Sequence, residues 1–266
     1  MSEGTKLPEP PELTEKVFSE VHEKAKLASG AMIVMGLLAG VYVGFGGMFA
    51  LIALAGADAL PFGVAQILAG LVFSLGLALV LIAGAELFTG NTLMAGPIYA
   101  QGLAAGTAAR ALLIVYAANF AGSVLLAVVV LGAGVHVAGE GAVGQAALDL
   151  GITKVEKSFG TVIASGILAN MLVCLAVWMA LGGQTVTQKF MGLVLPIAAF
   201  VAAGLEHSVA NMYLLPYAYL VQIVAGVSTT EITLLGIAAN LLGATLGNLI
   251  GGALIALAYG HIFAKD

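Results

Sequence analysis

The chain has 266 residues, 61% of them hydrophobic and only 9% charged, with a mean hydropathy of +1.09. Soluble domains carry about 25% charged residues, so this composition excludes a soluble enzyme or binding module, and no basic tract fits a nucleic-acid partner. Residues 1–28 supply −2 of the formal net charge of −5, and the single cysteine, Cys174, sits in an apolar run and forms no disulfide within the chain.

Residues 1–28 hold four lysines and six acids. Leu13, Val17, Phe18, Val21 and Ala25 recur at helical spacing and predict an amphipathic helix at the membrane surface. Pro8, Pro10 and Pro11 set its start. The segment is too charged for a signal peptide, and the apolar run after it is too long, so the first span is expected to be retained. Crossing the hydrocarbon core takes about 20 apolar residues. Six runs qualify, at 29–55, 61–102, 108–134, 158–181, 188–224 and 230–258. The second and fifth exceed one crossing and are interrupted.

Charge in the short loops orients the chain. Lys6, Lys16, Lys24, Lys26, Arg110, Lys189 and Lys265 fall on one side, and only Lys154 and Lys157 on the other. Both termini are therefore expected in the cytoplasm, in a multi-pass protein of the cell (inner, cytoplasmic) membrane. The implied organisation is a surface helix over 1–28, a three-span repeat over 29–134, an extracytoplasmic loop over 135–157 and a second three-span repeat over 158–260.

The interrupted runs carry an internal repeat. Ala83-Gly84-Ala85-Glu86-Leu87-Phe88-Thr89-Gly90-Asn91, followed by Pro97, is echoed by Ala203-Gly204-Leu205-Glu206-His207-Ser208-Val209-Ala210-Asn211, followed by Pro216. Asn119-Phe120-Ala121-Gly122 and Asn248-Leu249-Ile250-Gly251 echo each other in the third and sixth spans. Halves of three spans must be inverted relative to one another, and inverted repeats with matching broken helices point to a transport site near the midplane. Broken helices in lipid need protein or a water-lined cavity to satisfy the freed backbone groups, and their half-helix N-termini favour an anion. Away from the ends of the apolar runs, Glu86, Glu206 and His207 are the acidic, basic and histidine residues, and all three fall at the breaks.

Three segments, in order, resemble the formate/nitrite transporter family, which includes formate, nitrite and hydrosulfide channels. They are Glu86-Leu87-Phe88-Thr89-Gly90-Asn91, Gly166 to Met179 (GILANMLVCLAVWM) and Glu206-His207-Ser208-Val209-Ala210-Asn211-Met212. The resemblance runs from the N-terminal helix to Gly251-Gly252. It implies an all-α, aquaporin-like fold of six transmembrane helices, built as two inverted three-helix repeats with broken second and fifth helices. It also implies a homopentamer with one pore per protomer. By resemblance, His207 is the central pore histidine and Thr89 its hydrogen-bonding neighbour; Lys154 is the vestibule lysine and Asn170 its partner. Leu77, Leu87 and Phe88 match one constriction, and Phe73 and Phe200 the other. Thr89-Gly90-Asn91 departs from the Thr-Ser-Thr of enterobacterial formate channels, so formate, nitrite and hydrosulfide all stand as substrates, with formate first.

The implied function is a channel for small monovalent anions of weak acids, with proton coupling through His207. No cofactor or metal is expected, since one histidine and two separated glutamates make no metal site and no enzyme. An ammonium-type channel is the rival, although ammonia conduction usually uses two pore histidines. Water channels carry paired Asn-Pro-Ala breaks, absent here. Each residue also has a plainer reading. His207 then bonds a carbonyl in the core, Thr89 back-bonds within its helix, and Lys154 is a solvated loop charge. Glu86 and Glu206 brace the N–H groups of the broken helices, beside Asn91 and Asn211, while Asn119, Asn170 and Asn248 bridge helices.

Overall fold

A computed structural model describes residues 7–226 and 231–264. Lys6, Lys265 and the expected start of the last span at residue 230 lie outside the described residues. The described residues form helices and turns with no strand. In chain order they are α1 (Pro10–Ala25), α2 (Ser29–Leu54), α3 (Phe62–Ala83), α4 (Phe88–Asn91), α5 (Ala95–Ala100), α6 (Ala105–Gly132), α7 (Ala142–Val155), α8 (Phe159–Gly182), α9 (Val186–Ala202), α10 (Ser208–Val224) and α11 (Leu234–Phe263). Among the described residues, α2, α3, α6, α8 and α11 are long and apolar enough to cross a membrane. Helices α9 and α10 are shorter and apolar.

Both expected interruptions are present. Helix α3 ends at Gly84 (φ +82°) and α9 runs out just before Gly204 (φ +62°). Left-handed backbone is open to glycine without a Cβ penalty, so the glycine two places ahead of each motif glutamate is what lets the helix stop there.

The long helices pair through glycine. A Cβ on Gly40 would strike the Asn119 carbonyl, and one on Gly122 the Leu37 carbonyl, where α2 crosses α6. Gly247 and Gly251 of α11 meet the carbonyls of Ile163 and Ile167 on α8 in the same manner. Lipid gives helices no hydrophobic reason to associate, so close backbone approach and van der Waals contact carry the packing.

Helix α1 starts as its prolines predict, with Pro10 and Pro11 in the first turn and a capping box between Glu9 and Glu12. Its apolar stripe is covered by protein: Val17, Phe18, Val21 and Ala25 are buried against the chain's own helices. The Phe18 ring lies edge-on to Trp178 at 6.0 Å and fills the space left by the absent side chain of Gly96. Lys16 Nζ donates to the Leu181 carbonyl at 2.7 Å, at the end of α8. Truncating a buried phenylalanine costs about 3–5 kcal/mol. For a terminal helix that cost is expected as local undocking, so Phe18→Ala should speed hydrogen exchange over residues 10–25 while leaving α2 and α6 protected. Faster exchange throughout α2 and α6 would show instead that α1 belongs to the cooperative core.

Candidate pore site

Backbone groups freed at the breaks are satisfied by two asparagines in matching roles. The Phe88 N–H donates to Asn119 Oδ1 (2.9 Å), and Asn119 Nδ2 donates to the carbonyls of Gly36 (2.8 Å) and Glu86 (2.9 Å). In the other half the Ser208 N–H donates to Asn248 Oδ1 (2.8 Å), and Asn248 Nδ2 donates to the carbonyls of Gly166 (2.9 Å) and Glu206 (3.0 Å). The N–H groups of Glu86 and Glu206 go to the Met35 carbonyl and to Ser165 Oγ. The carboxylates therefore do not brace the broken helices, as the plainer reading of the sequence had it. Asn119 and Asn248 do, because an amide offers donor and acceptor together.

The carboxylates hold charge instead. Glu86 accepts from Asn91 Nδ2 at 2.8 Å and pairs with Lys24 at 3.3 Å. Glu206, fully buried, accepts from Asn211 (2.6 Å) and Asn240 (3.3 Å) and pairs with Lys154 at 3.1 Å and Lys157 at 2.6 Å. Asn91 and Asn211 thus sit at the breaks in the same relation to their glutamates. Lys154 lies on α7 and is itself buried. Burial pushes its ammonium below the ordinary lysine range, the Glu206 carboxylate opposes that, and Lys157 adds to the lowering.

His207 caps α10: its Nδ1 accepts the Ala210 N–H at 3.1 Å. A nitrogen that accepts carries no proton, so the neutral ring has its hydrogen on Nε2, which meets Thr89 Oγ1 at 2.9 Å. Asn170 stands behind Thr89. Its Nδ2 donates to the Thr89 carbonyl (3.2 Å), Thr92 Oγ1 (2.9 Å) and the Asn248 carbonyl (2.6 Å), while its Oδ1 is buried without a partner. The expected pairing of Asn170 with Lys154 is not formed, because each is committed elsewhere. Buried Cys174 Sγ lies 3.6 Å from Thr92 Oγ1 and 3.7 Å from the Thr89 carbonyl.

His207 is the sole polar residue lining a chamber of ~10 Å³, walled by Phe73, Leu77, Leu87, Phe200 and, unforeseen from sequence, Val43, Val173 and Ile197. That is room for about one water. Phe73 and Phe200 meet edge to face at 5.5 Å, and Phe200 lies 5.5 Å from the His207 ring. Phe88 is not in the wall; it packs on Tyr116 at 4.9 Å. On the α1 side, a cavity of 230 Å³ is lined by Lys16, Glu20, Lys24, Glu86 and Lys189 among others. The arrangement is a small, largely apolar chamber marked by His207, with a lysine–glutamate cluster at each break.

The Formate/nitrite transporter family model matches residues 11–262. The formate channel FocA of Escherichia coli (strain K12) is 34% identical over 245 residues, covering 87% of this chain and 86% of that protein. The formate channel FocA of Haemophilus influenzae is 33% identical over 260 residues, covering 92% and 90%. A solved structure described as a pentameric formate channel with formate bound superposes with a TM-score of 0.80 at 31% identity, over 90% of this chain and 98% of that one. A solved ion channel of the same family gives 0.81 at 30% identity, over 96% and 99%. The chain is thus a multi-pass membrane protein that belongs to the formate/nitrite transporter family.

Proposed function

We propose that the chain forms a homopentameric channel for small monovalent anions of weak acids, formate first among them, with net movement of a proton alongside. Six spans in two inverted halves would place the two breaks at the midplane, and the matched roles of Asn119 and Asn248 support that symmetry. The lysine distribution supports an α1 side facing the cytoplasm, with both termini there, and an α7 side facing out. The observation that carries the function is the chamber itself, in which one histidine nitrogen system faces an otherwise apolar wall.

A bare anion meets a large desolvation penalty in such a passage. The idealised figure for a carboxylate-sized ion is about 20 kcal/mol, and several kcal/mol survive relaxation. A neutral acid avoids most of it. In this mechanism Lys154 draws the anion from the α7 side, and partial dehydration raises its proton affinity. It passes the Nε2–H of His207 as the neutral acid, taking a proton relayed from bulk solvent through His207 or through water ordered there, so that the relaying group regains the proton it gives and no hydroxide or imidazolate is left behind. A proton added to His207 would fall on Nδ1 and displace the Ala210 N–H, which favours water as the immediate donor.

The test is stopped-flow formate uptake into proteoliposomes holding a pH dye, with nitrite, hydrosulfide and chloride compared. Rapid internal acidification is expected with formate, slowed about tenfold in His207→Asn, the factor that 1.4 kcal/mol of barrier carries. Undiminished acidification in that variant would remove His207 from the proton path. Anion uptake without acidification would make the pore a conductive channel, and no uptake of any of these anions would overturn the reading altogether.

A further inference from the structure

Lys157 has no part in the mechanism above, and the internal repeat gives it no charged counterpart in the first half. Gly36 and Gly166 hold matching places, each giving its carbonyl to the asparagine that caps a break. Lys24 and Lys154 each stand twelve residues ahead of that glycine. Each also reaches the glutamate of its own half, at 3.3 Å and 3.1 Å. The place that matches Lys157 in the first half is taken by Leu27.

The extra lysine changes how the carboxylate is shared. In the first half the two oxygens of Glu86 are divided, one to Lys24 and the other to Asn91. In the second half Lys157 holds one oxygen of Glu206 at 2.6 Å. Lys154 is left on the other oxygen at 3.1 Å, together with Asn211 at 2.6 Å and Asn240 at 3.3 Å. Lys157 Nζ is fixed in that place by a second bond, to the Gly204 carbonyl at 2.8 Å. Formal charge follows the same division when counted over the groups bonded to each glutamate. Lys24 and Glu86 cancel, whereas the two ammonium groups bonded to Glu206 leave one positive charge, the amount that one monovalent anion offsets.

We propose that Lys157 is a positioning residue for the permeating anion: by neutralising Glu206 it leaves the charge of Lys154 available to a monovalent weak-acid anion arriving from the α7 side. The proposal rests on the role given to Lys154 under the proposed function. Its consequence is one-sided, because among the described residues no second lysine pairs with Glu86 beside Lys24.

The experiment measures formate-driven internal acidification against formate concentration in right-side-out and inside-out membrane vesicles. Lys157→Leu, which installs the residue of the matching place, is expected to raise the half-saturating concentration about tenfold when formate arrives at the α7 face. The maximal rate should stay within about twofold, and uptake from the α1 face should be unchanged. Lys157→Arg should restore the α7-face value. Lys157→Gln, which can still donate to the Gly204 carbonyl, should behave as Lys157→Leu and serves if the leucine variant does not assemble. Unchanged half-saturation in both neutral variants, while Lys154→Met raises it, would overturn the proposal alone. No change in Lys154→Met either would overturn the role of Lys154. Equal losses from both faces, or failure of the arginine variant to restore, would reduce Lys157 to a structural brace.

Discussion

Glu206→Gln is expected to lower the stability of the assembly by about 3–5 kcal/mol, the loss measured when a buried ion pair is left with one sign of charge. The glutamine keeps the shape and one carbonyl acceptor for Asn211 and Asn240. What it removes is the counter-charge for Lys154, whose side chain is 6% exposed, and for Lys157, at 24%. Glu86→Gln provides the contrast. Only Lys24 loses its partner there, and with 24% of its side chain exposed it can turn to water, so the expected loss is about 1–3 kcal/mol. Thermal unfolding of the detergent-solubilised protein, followed at one protein concentration, ranks the two variants. The double variant Glu206→Gln with Lys157→Gln removes the like charge that faces buried Lys154 and should recover part of the loss, a coupling that a double-mutant cycle reads directly. Equal losses at Glu86 and Glu206, or no recovery in the double variant, would show that the second lysine is not electrostatically tied to Glu206.

The breaks and the family are legible in the sequence because those features are local. A glycine two places before a glutamate, repeated in two long apolar runs, needs no contact map to be seen, and both glycines turn out to have positive φ. The asparagines of the third and sixth spans were visible as an echo, but their bonds to Phe88 and Ser208 bridge 31 and 40 residues and could not be read from spacing. The same distance in sequence hid Lys157 and Asn240, which converge on Glu206 from 49 and 34 residues away. Period alone leaves the partner of α1 open. An amphipathic stripe says that one face is covered, not whether lipid or protein covers it, and here Phe18 found Trp178 and the space at Gly96. Phe88 fails for a related reason. It stands at the first position of α4, where the change in chain direction at the break turns its ring toward Tyr116 and away from the chamber.

Gly252 is where transport and packing should separate. A Cβ there would run into Thr92 Oγ1, would lie 2.7 Å from Thr92 Cβ and would lie 2.9 Å from Asn170 Nδ2. Those two side chains are the back wall of Thr89: Thr92 Oγ1 donates to the Thr89 carbonyl at 2.6 Å and Asn170 Nδ2 at 3.2 Å. Thr89 in turn meets His207. Gly252→Ala therefore forces Thr92 or Asn170 aside, at an overpacking cost of about 1–3 kcal/mol. If about 1.4 kcal/mol of that disturbance reaches the Thr89–His207 contact, formate uptake slows about tenfold. Gly251→Ala, one residue earlier, would meet the Ile167 carbonyl and part α8 from α11, so its first effect should be on thermal stability. Gly160→Ala, with nothing within 4 Å of the added carbon, should change neither quantity. Thr89→Val closes the argument by deleting the hydroxyl that meets His207 while keeping the side-chain shape. If Gly252→Ala slows uptake and Thr89→Val does not, the disturbance travels by some route other than Thr89. If both slow it to a similar degree, the glycine of the last helix sets the position of the threonine that faces the pore histidine.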